Sequence, residues 1–295
     1  MTTAEKGQQT AGVAAAAIAY LIWGLFPLYF HALRGVPAGE VLAHRVAWSA
    51  LFMAALVTVT RRWPPVLVQL RRPGAMKTLT ASALLISTNW LVYIWAVQSG
   101  RVLEASLGYF ITPLVSVLLG VAFLNEPLTR RQVAAVLLAA AGVLALVVKV
   151  GEVPWVALTL ASSFGLYGLL RKRLAVDAMA GLLAEVVVLA PLAVAWLAWL
   201  GLRGEGHFLA APLTTTLLAS TGVVTAVPLL LFAVGVRRLR LATVGLLLYL
   251  NPTTQFALAV LLFGEIFTGA HAIAFGCIWG SLALYSSEAL FRRSE

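Results

Sequence analysis

The sequence is short of charge. Only 11% of its 295 residues are charged and 61% are hydrophobic, whereas a soluble globular domain carries about 25% charged residues. That deficit excludes a water-exposed globule, because too little polar surface exists to cover an apolar core. The surplus Leu, Ala and Val must face lipid. Cysteine is nearly absent: Cys277 stands alone in an apolar run, so no intrachain disulfide can form. Asp177 is the single aspartate, which excludes a two-aspartate intramembrane protease. No HExxH and no Gly-rich phosphate loop occurs, and His31, His44, His207 and His271 lack metal-ligand spacing, so neither metal nor cofactor is expected.

What is present is a series of apolar runs. A spanning helix needs about 20 mostly apolar residues, and ten runs fit: 11–31, 40–60, 76–98, 103–124, 130–148, 153–171, 179–201, 212–235, 241–262 and 268–289. The first contains Trp23, Tyr29 and the helix-bending Pro27, features of a retained helix rather than a secretory leader. Most connections are short, which makes successive helices antiparallel neighbours. The longer ones are 61–75 and the Gly-rich 202–211.

The net charge of +10 sits in these connections, which points to a membrane and not to nucleic acid. Counted on alternate sides, sixteen of the 21 basic residues share one side, and Arg34, Arg101, Lys149 and Arg203 lie on the other. Basic loops resist export, so both termini are expected in the cytoplasm.

The chain also repeats itself. Arg101 falls on Arg240, Pro113 on Pro252 and Glu126 on Glu265, each pair 139 positions apart. These pairs mark helices four and nine of a five-plus-five division, into residues 1–150 and 151–295. Because five is odd, the second half enters the membrane inverted. Inverted repeats of this kind recur in secondary transporters, with the solute bound near the midplane.

An ionisable side chain at mid-bilayer costs about 2.5–3.5 kcal/mol on insertion scales, so each one asks for a partner, a wet cavity or an escape route. In the second run Glu40, His44 and Trp48 recur at four-residue spacing and share a face, with Arg45 turned about 100 degrees away. Either this face lines a translocation path, with Arg45 meeting an anionic group and His44 titrating, or Glu40 opens the helix and Arg45 snorkels outward. The third run carries Asn89 and Tyr93 beside Trp90 and Trp95. An amide there bonds another helix or anchors a solute against an aromatic wall.

Glu104, Ser106, Gly108 and Tyr109 open the fourth run, ahead of Pro113; Tyr249, Asn251, Pro252 and Gln255 echo them in the ninth. Gly108 permits close approach of a backbone or ligand, and proline frees a carbonyl, so Pro27, Gly108, Pro113 and Pro252 are hinge or kink candidates. Glu185 has no basic neighbour in sequence and is either a proton site or a surface cap. Glu126 and Glu265 are expected to cap the helices that follow them, and Gly276 with Gly280 forms a small-residue packing face.

Several strings resemble a known family: residues 20–27 with Tyr20, Trp23 and Pro27; Glu40 with His44-Arg45 and Trp48; Asn89-Trp90; Glu104-Ala105-Ser106-Leu107-Gly108-Tyr109-Phe110; and Tyr249 with Asn251-Pro252. Over essentially the whole chain the sequence is similar to the EamA branch of the drug/metabolite transporter superfamily. The resemblance implies an all-α membrane protein of ten transmembrane helices, arranged as two inverted five-helix EamA repeats. It also implies secondary transport of a small organic or drug-like solute by alternating access. The candidate solute site is then Trp23, Glu40, His44, Arg45, Trp48, Asn89, Trp90, Tyr93, Tyr109, Tyr249, Asn251 and Gln255, with Glu40, His44 and Glu185 as candidates for proton coupling.

The expected partners are a small-molecule substrate and the lipid bilayer, with the chain a monomer or weak dimer in a bacterial inner (plasma) membrane. A polytopic membrane enzyme or a channel is the alternative. The sequence lacks an enzyme's catalytic motifs and a channel's repeated pore charges.

Overall fold

In the computed structural model residues 3–125, 128–174, 176–239, 243 and 247–291 are described, and every regular element among them is helical. They form α1 (Thr3–Gly24), α2 (Phe26–Ala32), α3 (Ala38–Val59), α4 (Trp63–Leu70), α5 (Ala75–Gln98), α6 (Val102–Leu124), α7 (Arg130–Val150), α8 (Trp155–Arg173), α9 (Ala178–Arg203) and α10 (Pro212–Arg238). After these come α11 (Leu250–Ala257), continued by a π turn (Leu258–Leu262), and α12 (Gly269–Phe291). Glu126, Arg240, Arg292 and Arg293, and the opening of the predicted ninth run, lie outside the described residues.

Seven helical spans are long and apolar enough to cross a membrane, and two shorter apolar segments, Leu250–Leu262 and Gly269–Leu284, follow them. The protein is an all-helical, multi-pass membrane protein. Of the other predicted runs, 153–171 falls on α8, which has 19 residues and ends on Arg171, Lys172 and Arg173. The first run is broken at Leu25, and Pro27 sits in the opening turn of α2. There its missing N–H costs nothing, because first-turn donors lack helical acceptors anyway. Residues 61–75, expected as a loop, contain α4, whose own first turn holds a proline and whose Val66 is buried.

The main helix contacts run between the two halves of the chain. Helix α7 packs on α12, α6 on α8, α1 on α10 and α11, α3 on α9 and α10, α5 on α8 and α9, and α6 on α11. Small residues make these contacts close, as lipid supplies no hydrophobic drive between helices and packing must do the work. A Cβ on Gly222 of α10 would lie 2.4 Å from the Trp48 carbonyl oxygen, and one on Gly108 of α6 would lie 2.8 Å from that of Ala157. Of the expected pair, Gly280 faces α7, where a Cβ would lie 3.4 Å from Leu138 Cδ2, but Gly276 does not. Gly276 meets nothing within 4 Å, whereas Gly142 of α7 is the residue pressed on Ala274 and Cys277 of α12. The largest apolar cluster accordingly mixes the halves, joining Phe30, Ile94, Leu107 and Phe110 to Leu160, Phe275 and Ile278.

Candidate functional site

Helix α3 presents its polar residues in two directions. Glu40 is buried and accepts the His207 backbone N–H at 2.6 Å, with the His207 ring Nδ1 at 2.8 Å. His44 stacks on Phe208 with ring centroids 4.9 Å apart, and Trp48 lies 6.1 Å from the same ring. The shared face read from the spacing therefore exists, and the connection between α9 and α10 covers it. His44 Nε2 and Trp48 Nε1 are buried there without a hydrogen-bond partner.

Arg45 points elsewhere and does not snorkel. It is buried, its Nε donates to Thr225 Oγ1 of α10 at 2.9 Å, and its guanidinium carbon lies 4.0 Å from the Trp90 ring centroid. Phe30 and Phe26 of α2 stand at 5.6 and 5.7 Å. The phenols of Tyr109, Tyr93 and Tyr29 are within its electrostatic reach. No carboxylate pairs with it among the described residues.

Helix α5 supplies the next layer. Asn89 donates to the Leu160 carbonyl and to Ser163 Oγ of α8, both at 3.0 Å, and accepts from the Tyr109 hydroxyl at 3.3 Å. Of its two expected roles, the helix-bonding one is what the geometry displays. Tyr93 is buried between Phe30 (6.0 Å) and Tyr109 (5.7 Å), and its hydroxyl has no hydrogen-bond partner.

On α11, Gln255 Nε2 donates to Asn251 Oδ1 at 2.7 Å and reaches the Trp23 carbonyl at 3.4 Å, while Gln255 Oε1 is buried and unpartnered. Tyr249 lies parallel to Phe110 at 6.4 Å, and the Pro252 carbonyl accepts from Ser106 of α6 at 2.9 Å. Pro113 sits inside α6, but Pro252 is the third residue of α11, so these two prolines do not occupy equivalent interior positions.

Glu185 is not a surface cap, and it does not stand alone. It is buried, accepts from Ser82 at 2.7 Å and Tyr167 at 3.3 Å, and has Arg171 Nη1 at 3.8 Å. Arg171 was invisible as a partner because it lies fourteen positions earlier, across a helix connection. Sequence reasoning also passed over Thr225 and His207; the only hint was Thr221 and Thr225 one turn apart in an apolar helix.

Two cavities lie elsewhere, and neither is lined by these residues. One of about 200 Å³ is lined by Arg101, Glu104, Glu152 and His271; the other, about 270 Å³, lies between α6 and α8 beside Ser116, Gly165 and Lys172. The space around Arg45 is taken by the rings of Trp90, Phe30 and Phe26. No group of three His, Cys, Asp or Glu suited to a metal ion occurs among the described residues.

The family model described as "EamA-like transporter family" matches residues 10–148. The chain is 44% identical to Protein RarD of Salmonella typhi over 289 residues, 98% of each chain. It is 44% identical to an uncharacterized transporter, YojE, of Bacillus subtilis, covering 96% of each. It is 35% identical to the chloramphenicol-sensitive protein RarD of Pseudomonas aeruginosa, again over 96% of each. A solved crystal structure superposes with a TM-score of 0.60, covering 94% of this chain and 97% of that one, at 20% identity, a likeness of fold alone. With the RarD proteins as near full-length relatives, and a buried polar and aromatic cluster enclosed by apolar helices, the chain belongs to the EamA-like transporter family and not to a family of enzymes.

Proposed function

We propose that the protein is a secondary carrier of a small organic solute. In this reading ten membrane-spanning helices form two inverted five-helix repeats, residues 1–150 and 151–295, that expose one central site alternately to each side. The observation that carries it is the exchange symmetry of the helix contacts. If spans are numbered one to ten, adding five to each member turns the α6·α8 contact into α11·α1, α1·α10 into α8·α5, and α3·α10 into α9·α5. All of these are among the main contacts. The α3·α9, α7·α12 and α6·α11 contacts map onto themselves. Such a set is what a pseudo-twofold axis in the membrane plane produces.

The Arg45 cluster draws on α2, α3, α5 and α6 from one half and on α10 from the other. In this reading the arrangement around Arg45 is a closed state of the cycle. Both termini are placed in the cytoplasm of an inner membrane, by the distribution of basic residues, and the unit acts as a monomer or weak dimer. Coupling to protons falls to Glu40, His44 or Glu185, all three buried.

The test is counterflow in proteoliposomes loaded with a bacterial metabolite extract, read by mass spectrometry. A carrier gives saturable exchange stimulated by solute on the far side, faster for net uptake when a pH gradient is imposed. Linear, unstimulated flux would instead identify a channel.

A further inference from the structure

We infer that the solute is an organic carboxylate with a flat apolar body, and that Arg45 binds its charged end; this deepens the carrier reading and rests on it. The argument begins with charge balance. Among the described residues the buried charged side chains are Glu40, Arg45 and Glu185. Glu40 faces His207, and Glu185 faces Arg171 with Ser82 and Tyr167. Arg45 faces no acid among the described residues.

Rings offset part of its desolvation, because a cation over an aromatic face is attracted by the ring quadrupole. They do not neutralise it. A buried positive charge left in this state is completed by an anion, and it repels a cationic solute.

The geometry selects the kind of anion. Arg45 Nε is held by Thr225 Oγ1, which fixes the plane of the guanidinium, and its remaining N–H groups have no hydrogen-bond partner among the described residues. That planar fork matches the two oxygens of a carboxylate. Tyr93, 3% exposed and with an unpartnered hydroxyl, supplies one further donor beside it. The ring of Trp90, 4.0 Å from the guanidinium carbon, backs the face of the guanidinium and leaves the N–H edge for the anion. Phe30, Tyr93 and Tyr109 then face the rest of the solute, and stacked rings favour a flat apolar body over a bulky or polar one.

Three probes of one shape and different charge separate the outcomes: phenylacetate, 2-phenylethanol and phenethylamine. Each is tested for thermal stabilisation of the purified protein and for exchange in proteoliposomes. Phenylacetate is expected to stabilise and to exchange saturably, the alcohol and amine not. Arg45→Gln should weaken phenylacetate by about tenfold or more and Arg45→Lys by less, as the charge remains but the fork is lost.

Tyr93→Phe guards against misfolding as the cause. Its hydroxyl has no hydrogen-bond partner among the described residues, so the melting temperature without solute should hold while affinity falls several-fold. Equal binding of the amine or alcohol, phenylacetate binding within twofold of normal in Arg45→Gln, or no binding of any probe overturns the inference. If metabolite counterflow persists in those cases, only the solute class is wrong; if counterflow is absent as well, the carrier reading fails with it.

Discussion

Gly108 has no room for another carbon. A Cβ there would lie 2.8 Å from the Ala157 carbonyl oxygen and 3.0 Å from its Cα, and backbone atoms cannot swing aside as a flexible side chain can. Gly108→Ala should therefore push α6 from α8 and lower stability by about 1–3 kcal/mol, seen as a lower melting temperature in detergent. An unchanged value would mean that α6 and α8 do not touch there. The same residue was read from the sequence as a point of close approach, and the neighbour proves to be a backbone. Arg45 carries the opposite lesson. Its identity was legible, but whether an acid answered it was not, because Glu40 lies five residues away in sequence and faces His207 instead.

At the scale of elements, carboxylates cap helices other than their own. Glu265 was expected to serve the helix that follows it; its two oxygens accept from Val102 N–H at 2.6 Å and Leu103 N–H at 2.7 Å, at the start of α6. Burial pushes its carboxyl above the ordinary range, and nearby Glu104 adds to this, against the pull of those two N–H groups. Glu104 in turn accepts from Val156 N–H at the start of α8 and pairs with Arg101. Asp177 does cap its own helix, accepting from Ala180 N–H at 2.8 Å, and it also binds the Gln69 amide of α4.

Burial works against the charge on Asp177, but Ala180, Gln69 and Arg62 outweigh it and hold its carboxyl below the usual range. A depressed carboxyl stabilises the fold above its unfolded pKa, about 3.9 for aspartate, and that contribution fades as pH falls through the lower folded value. Melting temperature measured from pH 6 downward should decline in this window for the wild type. In Asp177→Asn that part of the decline should vanish, and a parallel decline in both would remove Asp177 from the account.

At the scale of the molecule, the halves interleave rather than sit side by side, so opening one end of the bundle means parting contacts between them. At the end where α6 begins, Glu265 ties that helix to the connection after the π turn, and Ser106, fully buried, bonds Pro252. In a Cys277→Ala background, Ser106→Cys should react slowly with a membrane-impermeant maleimide. Adding Glu265→Gln removes charge-assisted bonds and should speed labelling by about tenfold. An unchanged rate would show that Glu265 does not hold this end shut.

The sequence by itself determined the solvent, the succession of apolar helices and the polar residues within them. Those follow from composition and from periodicity along one segment, where lipid forces each backbone to satisfy its own hydrogen bonds. It also marked Pro27 as a break and Arg45, Tyr93 and Gln255 as residues of interest. Only the tertiary structure decided which charges meet. Glu185 finds Arg171, Glu40 finds His207, and Asn89 is spent on α8, while among the described residues Arg45 is left without an acid. Pairing in a membrane interior depends on which helix faces are brought together across long stretches of chain, and no local pattern encodes that.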